Sequence, residues 1–288
     1  MAKPEIDEVT GAETTGHEWD GLKELNKPLP KWWLWVLYAS IVWSIGYWIA
    51  MPAWPLVAGY TKGVLGYSQR EVVARSLDEA RAAQSQYMDR ISASGPAAIK
   101  SDPELLQFAL AGGEAAFGDN CAPCHGRGAQ GAKGYPNLND DDWLWGGTLE
   151  DIHKTLQFGI RSGHENAREN AMPAFGRDQI LEPQQIRDVA EHVLSISGQD
   201  ANAEAAARGE PVFAEQCAAC HGEGGNGKME MGAPALTDRI WLYGGTREDI
   251  LETVRNSRSG VMPYWQGRLS PETIKQLAVY VHSLGGGQ

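Results

Sequence analysis

At 288 residues the chain is too long for one ordinary domain and suits two of about 100 residues plus additional segments. Lys and Arg number 25 against 37 Asp and Glu, a net charge of -12, which argues against a nucleic-acid binder, whose ligand demands a basic surface. Four cysteines are too few for a disulfide-rich scaffold, and they fall as two pairs, Cys121 with Cys124 and Cys217 with Cys220.

Residues 1–31 carry seven acids and four lysines, and Pro28 and Pro30 break any helix before the next segment, so this part reads as a mostly irregular leader. Residues 32–55 read as a transmembrane helix. No charged residue lies between Lys31 and Lys62, and Trp32 to Met51 would span ~30 Å as a helix, one hydrocarbon core. Six of the 11 tryptophans lie here, with Trp32, Trp33 and Trp35 at one end and Trp48 and Trp54 at the other, as in interfacial belts. Pro52 and Pro55 stop the run. The charged leader ahead, and the lack of a small-residue cleavage site behind, separate it from a signal peptide. Lys23, Lys27 and Lys31 in front, against Lys62 and Arg70 behind, lean slightly toward an inside N-terminus.

Residues 56–111 suggest a helical stalk. Ser68 with Glu71 reads as a capping box opening a helix that runs to about Ile91, Ser92 to Pro96 forms a linker, and Ser101, Pro103 and Glu104 open a second helix.

Beyond Gly112 one pattern is written twice, predicting two tandem domains at 112–199 and 200–288. Phe117, Cys121-Ala-Pro-Cys124-His125-Gly126, Pro136, Trp143-Leu-Trp-Gly-Gly-Thr148 and Asp151 answer to Phe213, Cys217-Ala-Ala-Cys220-His221-Gly222, Pro234, Trp241-Leu-Tyr-Gly-Gly-Thr246 and Asp249. Met172-Pro173 and Met262-Pro263 follow. Pro183 and Pro271 then open closing helices whose apolar residues recur at three- and four-residue steps. No useful strand alternation appears in this region, so the fold class is mainly α.

Cys-x-x-Cys-His is the attachment pattern of c-type haem: two thiols bond the porphyrin and the adjoining imidazole reaches its iron. A structural zinc site needs four converging ligands, whereas these pairs lie in separate copies. A thioredoxin-like redox pair lacks its βαβ context. Two covalently bound haem c groups are therefore expected, with His125 and His221 as iron ligands. Met172 and Met262 alone among the methionines occupy equivalent places in both copies, 47 and 41 residues after those histidines, and are nominated opposite them within each copy. His164 is the rival ligand for the first haem. Met229 and Met231 lie too close to His221 to cross the ring and read as loop residues. A thioether opposite imidazole raises the reduction potential and closes the iron to substrate.

Trp143 and Trp241 read as core aromatics rather than cofactor contacts, and Pro136 and Pro234 fit the loop whose backbone carbonyl orients the haem histidine. Residues 112–199 hold the densest acidic charge, 13 acids against seven bases, including Asp140, Asp141 and Asp142. Such a face suits steering of a basic soluble cytochrome.

His17-Glu-Trp-Asp-Gly-Leu, Asn26-Lys-Pro-Leu-Pro-Lys-Trp-Trp-Leu-Trp, Gly46-Tyr-Trp, Pro52-Ala-Trp-Pro and Ala171-Met-Pro-Ala-Phe-Gly, with the two haem motifs, resemble the dihaem subunit III of cbb3-type cytochrome c oxidases over nearly the whole chain. The resemblance implies a single-pass bacterial inner-membrane protein with a cytoplasmic N-terminus and periplasmic haem domains. It implies a complex that reduces O2 to water with proton translocation. Its partners there are catalytic subunit I, monohaem subunit II and a soluble donor cytochrome c. Residue by residue, it implies Cys121, Cys124, Cys217 and Cys220 as thioether sites, His125 and His221 as proximal ligands and Met172 and Met262 as distal ones, with no catalytic residues of the subunit's own. A tethered dihaem shuttle to another reductase and a dihaem peroxidase are the alternatives.

Overall fold

The computed structural model describes residues 5–286. The chain divides into two compact units, one ending at Ala82 and the other beginning at Ala83.

In the first unit, β1 (Thr14–Trp19) pairs antiparallel with β2 (Leu22–Leu25). Asp20 and Gly21 join them with φ of 49° and 84°, the two positive values that a tight hairpin turn requires. The leader is therefore not mostly irregular: its polar composition hid an Asp-Gly turn and a buried Thr14, whose hydroxyl accepts from the Glu5 amide at 3.1 Å. Helix α1 (Lys31–Ala50) follows Pro30. None of its residues is buried in the chain, and it is long and apolar enough to cross a membrane, the one such helix among the described residues. Amides of Val64 and Leu65 return to the carbonyls of Ile49 and Ala50, satisfying orphaned acceptors at its end. A two-residue ladder, β3 (Pro55–Leu56) with β4 (Gly59–Tyr60), lies between. Helix α2 (Gln69–Ala93) starts at Ser68, whose hydroxyl accepts from the Glu71 amide at 3.3 Å.

The second unit is helical and carries both haem motifs, in line with a mainly α fold containing two c-type cytochrome domains. It runs through α3 (Pro96–Ser101), α4 (Pro103–Asn120), α5 (Ala122–His125), α6 (Leu149–Phe158), α7 (Pro183–Ile196), α8 (Ala203–Gln216), α9 (Ala218–His221), α10 (Arg247–Asn256) and α11 (Pro271–Ser283). The segment read as a free stalk is partly built into this unit. Ile91, Ile99, Leu105 and Ala109 are buried against Leu149 and Val279. The Lys275 ammonium donates to the carbonyls of Ile91, Ser92 and Ser94 at 3.0, 2.8 and 2.8 Å, capping α2 with a cation.

The two repeats exchange their closing helices. The helix closing the second repeat, α11, packs on α4 and α6 of the first, burying Ile274, Leu277 and Ala278 with Phe117, Ile152 and Leu156. Helix α7, which closes the first repeat, packs on α8 and α10 of the second, burying Ile186, Val189 and Val193 with Phe213, Ile250 and Val254. Each buried phenylalanine contributes about 1.5–3 kcal/mol. The chain length between α7 and α8, Ser197 to Asn202, favours this choice: so short a connection makes the two an antiparallel helical hairpin. Equivalent glycines permit both crossings. A β-carbon on Gly113 would collide with Gln276 and Tyr280 of α11, and one on Gly209 with the Asp188 carbonyl of α7. Arg208 pairs with Asp188 at 2.8 Å across the second crossing, and Arg247 ties α10 to Glu191 of α7 at 2.5 Å. The repeats are tandem in sequence, but each globular lobe is assembled from both.

Candidate functional site

Each attachment motif sits on a single turn. Helix α4 ends at Cys121, with Phe117 one turn earlier, and α5 then carries Cys124 and His125 onto the same side before Gly126 ends the turn. Cys217, Cys220, His221 and Gly222 repeat this after α8. Cys121 and Cys217 are buried, and all four thiols are free of disulfides. Burial, reinforced by the neighbouring cysteine, pushes the buried thiols of Cys121 and Cys217 up to about 11.

His125 Nδ1 lies 3.1 Å from the Pro136 carbonyl, and His221 Nδ1 lies 3.0 Å from the Pro234 carbonyl, as the proline spacing predicts. A carbonyl only accepts, so Nδ1 carries the hydrogen and Nε2 keeps a free lone pair. Burial lowers the pKa of both imidazoles, against a smaller opposing pull from the proline carbonyls. The neutral form is the one that ligates iron.

A cavity of about 390 Å³ opens beside the second motif, lined by Cys217, Cys220 and His221 and walled by Phe175, Val193, Phe213 and Val254. Two methionines line it, Met231 from the same repeat and Met172 from the first. Around the first motif the reciprocal holds: Met262, from the second repeat, packs on the cluster of Phe117, Cys121, Ile152 and Leu156. Backbone bonds lock both loops in place. Met262 and Ile160 exchange a pair of bonds at 3.0 Å, and Trp265 donates to Leu156 at 3.0 Å. In the other lobe Gly176 donates to Arg255 at 3.0 Å, and the Ser257 hydroxyl to the Met172 carbonyl at 2.6 Å.

The pairing of methionine with histidine within each copy is thus not what the structure places together: Met172 lines the cavity of the His221 motif, and Met262 packs on the cluster that holds Cys121. Because the repeats are alike, sequence equivalence selects the two Met-Pro loops but cannot say which lobe each joins. The exchange of α7 and α11 carries their methionine loops with them.

Two thiols, a neutral imidazole and a thioether around an apolar slot suit a flat macrocycle with iron at its centre. They do not suit a zinc ion, for among the described residues no group of three or more His, Cys, Asp or Glu could hold a metal. His164 has another setting: its ring lies 5.0 Å from that of Phe158 and 5.3 Å from that of Tyr264, and its Nδ1 accepts from the Asn166 amide. Trp143 and Trp241 each pack against their lobe's core, as expected, and Trp241 also lines the cavity. Met231, read as a plain loop residue, lines it too. Asp142 is half-buried, and burial, with Asp238 and Asp140 nearby, raises its carboxyl to about 6. The acidic run is therefore partly an internal feature and not wholly a solvated face.

Sequence reasoning passed over Arg168 and Arg258. Arg168 donates to Thr155 and Asp151, Arg258 to Thr253 and Asp249, and their cations lie over Trp145 at 5.5 Å and Tyr243 at 5.0 Å. The signal was present: both arginines lie four residues before a repeated methionine.

A family model described as the N-terminal domain of cytochrome oxidase-cbb3, FixP, matches residues 11–58, and one described as cytochrome c oxidase, cbb3-type, subunit III, matches residues 108–193 and 204–281. Among curated proteins, the chain is 55% identical over 285 residues to the cbb3-type cytochrome c oxidase subunit FixP of Bradyrhizobium diazoefficiens, covering 99% of this chain and 98% of the relative. It is 52% identical over 295 residues to subunit CcoP of Azospirillum brasilense, covering both chains fully, at 100% each. Against subunit CcoP of Cereibacter sphaeroides it is 51% identical over 276 residues, 96% of this chain and 95% of the relative.

Proposed function

The chain belongs to the cbb3-type cytochrome c oxidase subunit III family, and within it we propose that this protein is the dihaem electron carrier of its complex, taking electrons from a soluble donor cytochrome c and passing them inward to the O2-reducing subunits. As a subunit of such an oxidase it is a cytochrome c component of a respiratory chain, held at the membrane by α1. Catalytic subunit I and monohaem subunit II are its partners in this reading, proton translocation belongs to the assembled complex, and the lobes lie on the periplasmic side of a bacterial inner membrane.

Bound haem c supplies a one-electron ferric/ferrous couple. Cys121 and Cys124 would hold one group and Cys217 and Cys220 the other. His125 with Met262, and His221 with Met172, would hold the two irons. The observation that supports the reading is that Met172 lines the cavity of Cys217, Cys220 and His221 while Met262 packs on the cluster of Cys121. Soft sulfur favours the ferrous state, and Pro136 and Pro234 hold each imidazole in its ligating tautomer. Held by a histidine and a methionine each, the two groups would carry electrons without a catalytic site in this subunit, in contrast to a dihaem peroxidase. The acidic lobe surface, Asp140 and Asp141 foremost, attracts a basic donor.

Mass spectrometry of proteolysed chain should find two haem-bearing peptides, one spanning Cys121 to Cys124 and the other Cys217 to Cys220. Stopped-flow reduction by a basic cytochrome c should slow as salt is added. A single haem, or peroxide turnover by the chain, would sink the reading, and salt-independent rates would sink the steering component.

A further inference from the structure

Trp145 and its second-repeat counterpart Tyr243 are placed reciprocally across the repeats. Each ring is backed by an arginine anchored to its own repeat. Arg168 donates to Thr155 and Asp151 at 3.0 Å each from helix α6, and Arg258 to the Thr253 hydroxyl at 3.1 Å and the Asp249 carbonyl at 2.7 Å from helix α10. Each ring bears on a glycine of the other repeat. A β-carbon added to Gly232 would fall within the Trp145 indole, and one added to Gly134 would lie 3.5 Å from the Tyr243 ring. The Gly134 amide also donates to the Leu242 carbonyl at 2.7 Å, so the chain beside Tyr243 is tied to the same loop.

Those glycines lie two residues before Pro136 and Pro234, the carbonyls that accept from His125 and His221. The Trp145 ring therefore fills the space beside the loop that orients His221, while the Tyr243 ring, which lines the cavity of the His221 motif, stands in van der Waals range of the loop that orients His125. A shorter Nδ1–H···O=C bond makes the imidazole a stronger donor and favours ferric iron, while a longer one favours ferrous.

We propose that Trp145 and Tyr243 are positioning residues acting across the repeats, so that Trp145 tunes the reduction potential of the haem held by His221, and Tyr243 that of the haem held by His125. This rests on the dihaem reading above. Removing a ring lets the carbonyl loop relax, lengthens the bond to histidine and raises the potential of the opposite haem. The expected change is about tenfold in the ferrous-to-ferric ratio at fixed poise, about 59 mV for a one-electron couple.

The test is spectroelectrochemical titration of the full chain carrying Trp145→Leu or Tyr243→Leu. The two transitions are assigned from chains that keep one attachment motif, using Cys121→Ser with Cys124→Ser or Cys217→Ser with Cys220→Ser. Trp145→Leu should raise the haem attached in the second repeat and Tyr243→Leu the haem attached in the first, whereas Trp145→Phe and Tyr243→Phe should stay near the parent values. Unmoved potentials, a shift confined to the haem of the substituted repeat, or equal movement of both haems in each variant would overturn the proposal. If the single-motif chains fail to fold, the two Leu variants must still move different transitions in the dihaem chain, and movement of the same transition by both overturns it. A parent chain with fewer than two haems defeats the functional reading instead, a result distinguishable by haem count.

Discussion

Exchange of the closing helices makes a prediction that reverses the one sequence order suggests. Ile274 and Ile186 occupy equivalent places in the two repeats, at 2% and 3% exposure, each in the centre of a core. Replacing either with alanine removes three carbons, about 2.4 kcal/mol at 0.8 kcal/mol each. The unfilled space in a close-packed interior brings the cost to ~2–5 kcal/mol. Ile274 packs with Phe117, Ile152 and Leu156, so Ile274→Ala should loosen the lobe of His125, although Ile274 is encoded in the repeat of His221. Ile186→Ala should loosen the lobe of His221. Hydrogen exchange read by mass spectrometry resolves the two. A loss of 2 kcal/mol speeds exchange through local opening by roughly 30-fold. For Ile274→Ala that acceleration should fall on 103–120 and 149–158, and for Ile186→Ala on 203–216 and 247–256. If each substitution loosens the helices of its own repeat, the exchange of helices is wrong.

The ligand pairing is tested in a chain with the second attachment motif disabled by Cys217→Ser and Cys220→Ser: Met262→Ala should abolish the sulfur-to-iron absorption band of the remaining haem and Met172→Ala should spare it, the opposite result restoring pairing within each repeat. Arg247 holds the Glu191 carboxyl below its ordinary 4.5. A depressed carboxylate stabilises the fold above its unfolded value and loses that contribution as pH falls through the folded one. The Tm gap between the parent and Glu191→Gln, about 1.5 kcal/mol in stability at neutral pH, should therefore close as the pH falls below the ordinary carboxylate range, and a gap that persists in acid refutes the pair's role. Ile41→Arg, near the middle of α1, should cost ~2.5–3.5 kcal/mol of insertion and release chain into the soluble fraction after alkaline extraction, whereas full retention would show that α1 is not the anchor.

Much of the molecule is legible from its residues alone. An uncharged run of the right length with tryptophans at its ends sufficed for α1, because a lipid-facing helix is specified by local composition, and the spacing of Cys121, Cys124 and His125 within one turn is covalent geometry. The carbonyl partners at Pro136 and Pro234 followed from the same local logic. The hairpin at Asp20-Gly21 was readable from its turn dipeptide but was masked by the polarity of its strands. The span of α2 and the start of α4 were close to expectation, but α4 runs on to Asn120 across the expected boundary at 111, and the burial of Ile91, Ile99 and Leu105 was not foreseen, since their partners Leu149 and Val279 are far away in the chain.

Local patterns along the chain therefore carry the inventory: an anchor helix, two Cys-x-x-Cys-His turns, two Met-Pro loops and two closing helices, each fixed by interactions within a few residues. The pairing among them comes from the packing of the folded chain. Two copies of one pattern present interchangeable faces, so no local signal distinguishes Met172 from Met262 as the partner of His125. The short link from α7 to α8, the glycine crossings at Gly113 and Gly209 and the burial of α11 against α4 go together in a single arrangement, in which each Cys-x-x-Cys-His turn shares a lobe with the repeated methionine of the other repeat.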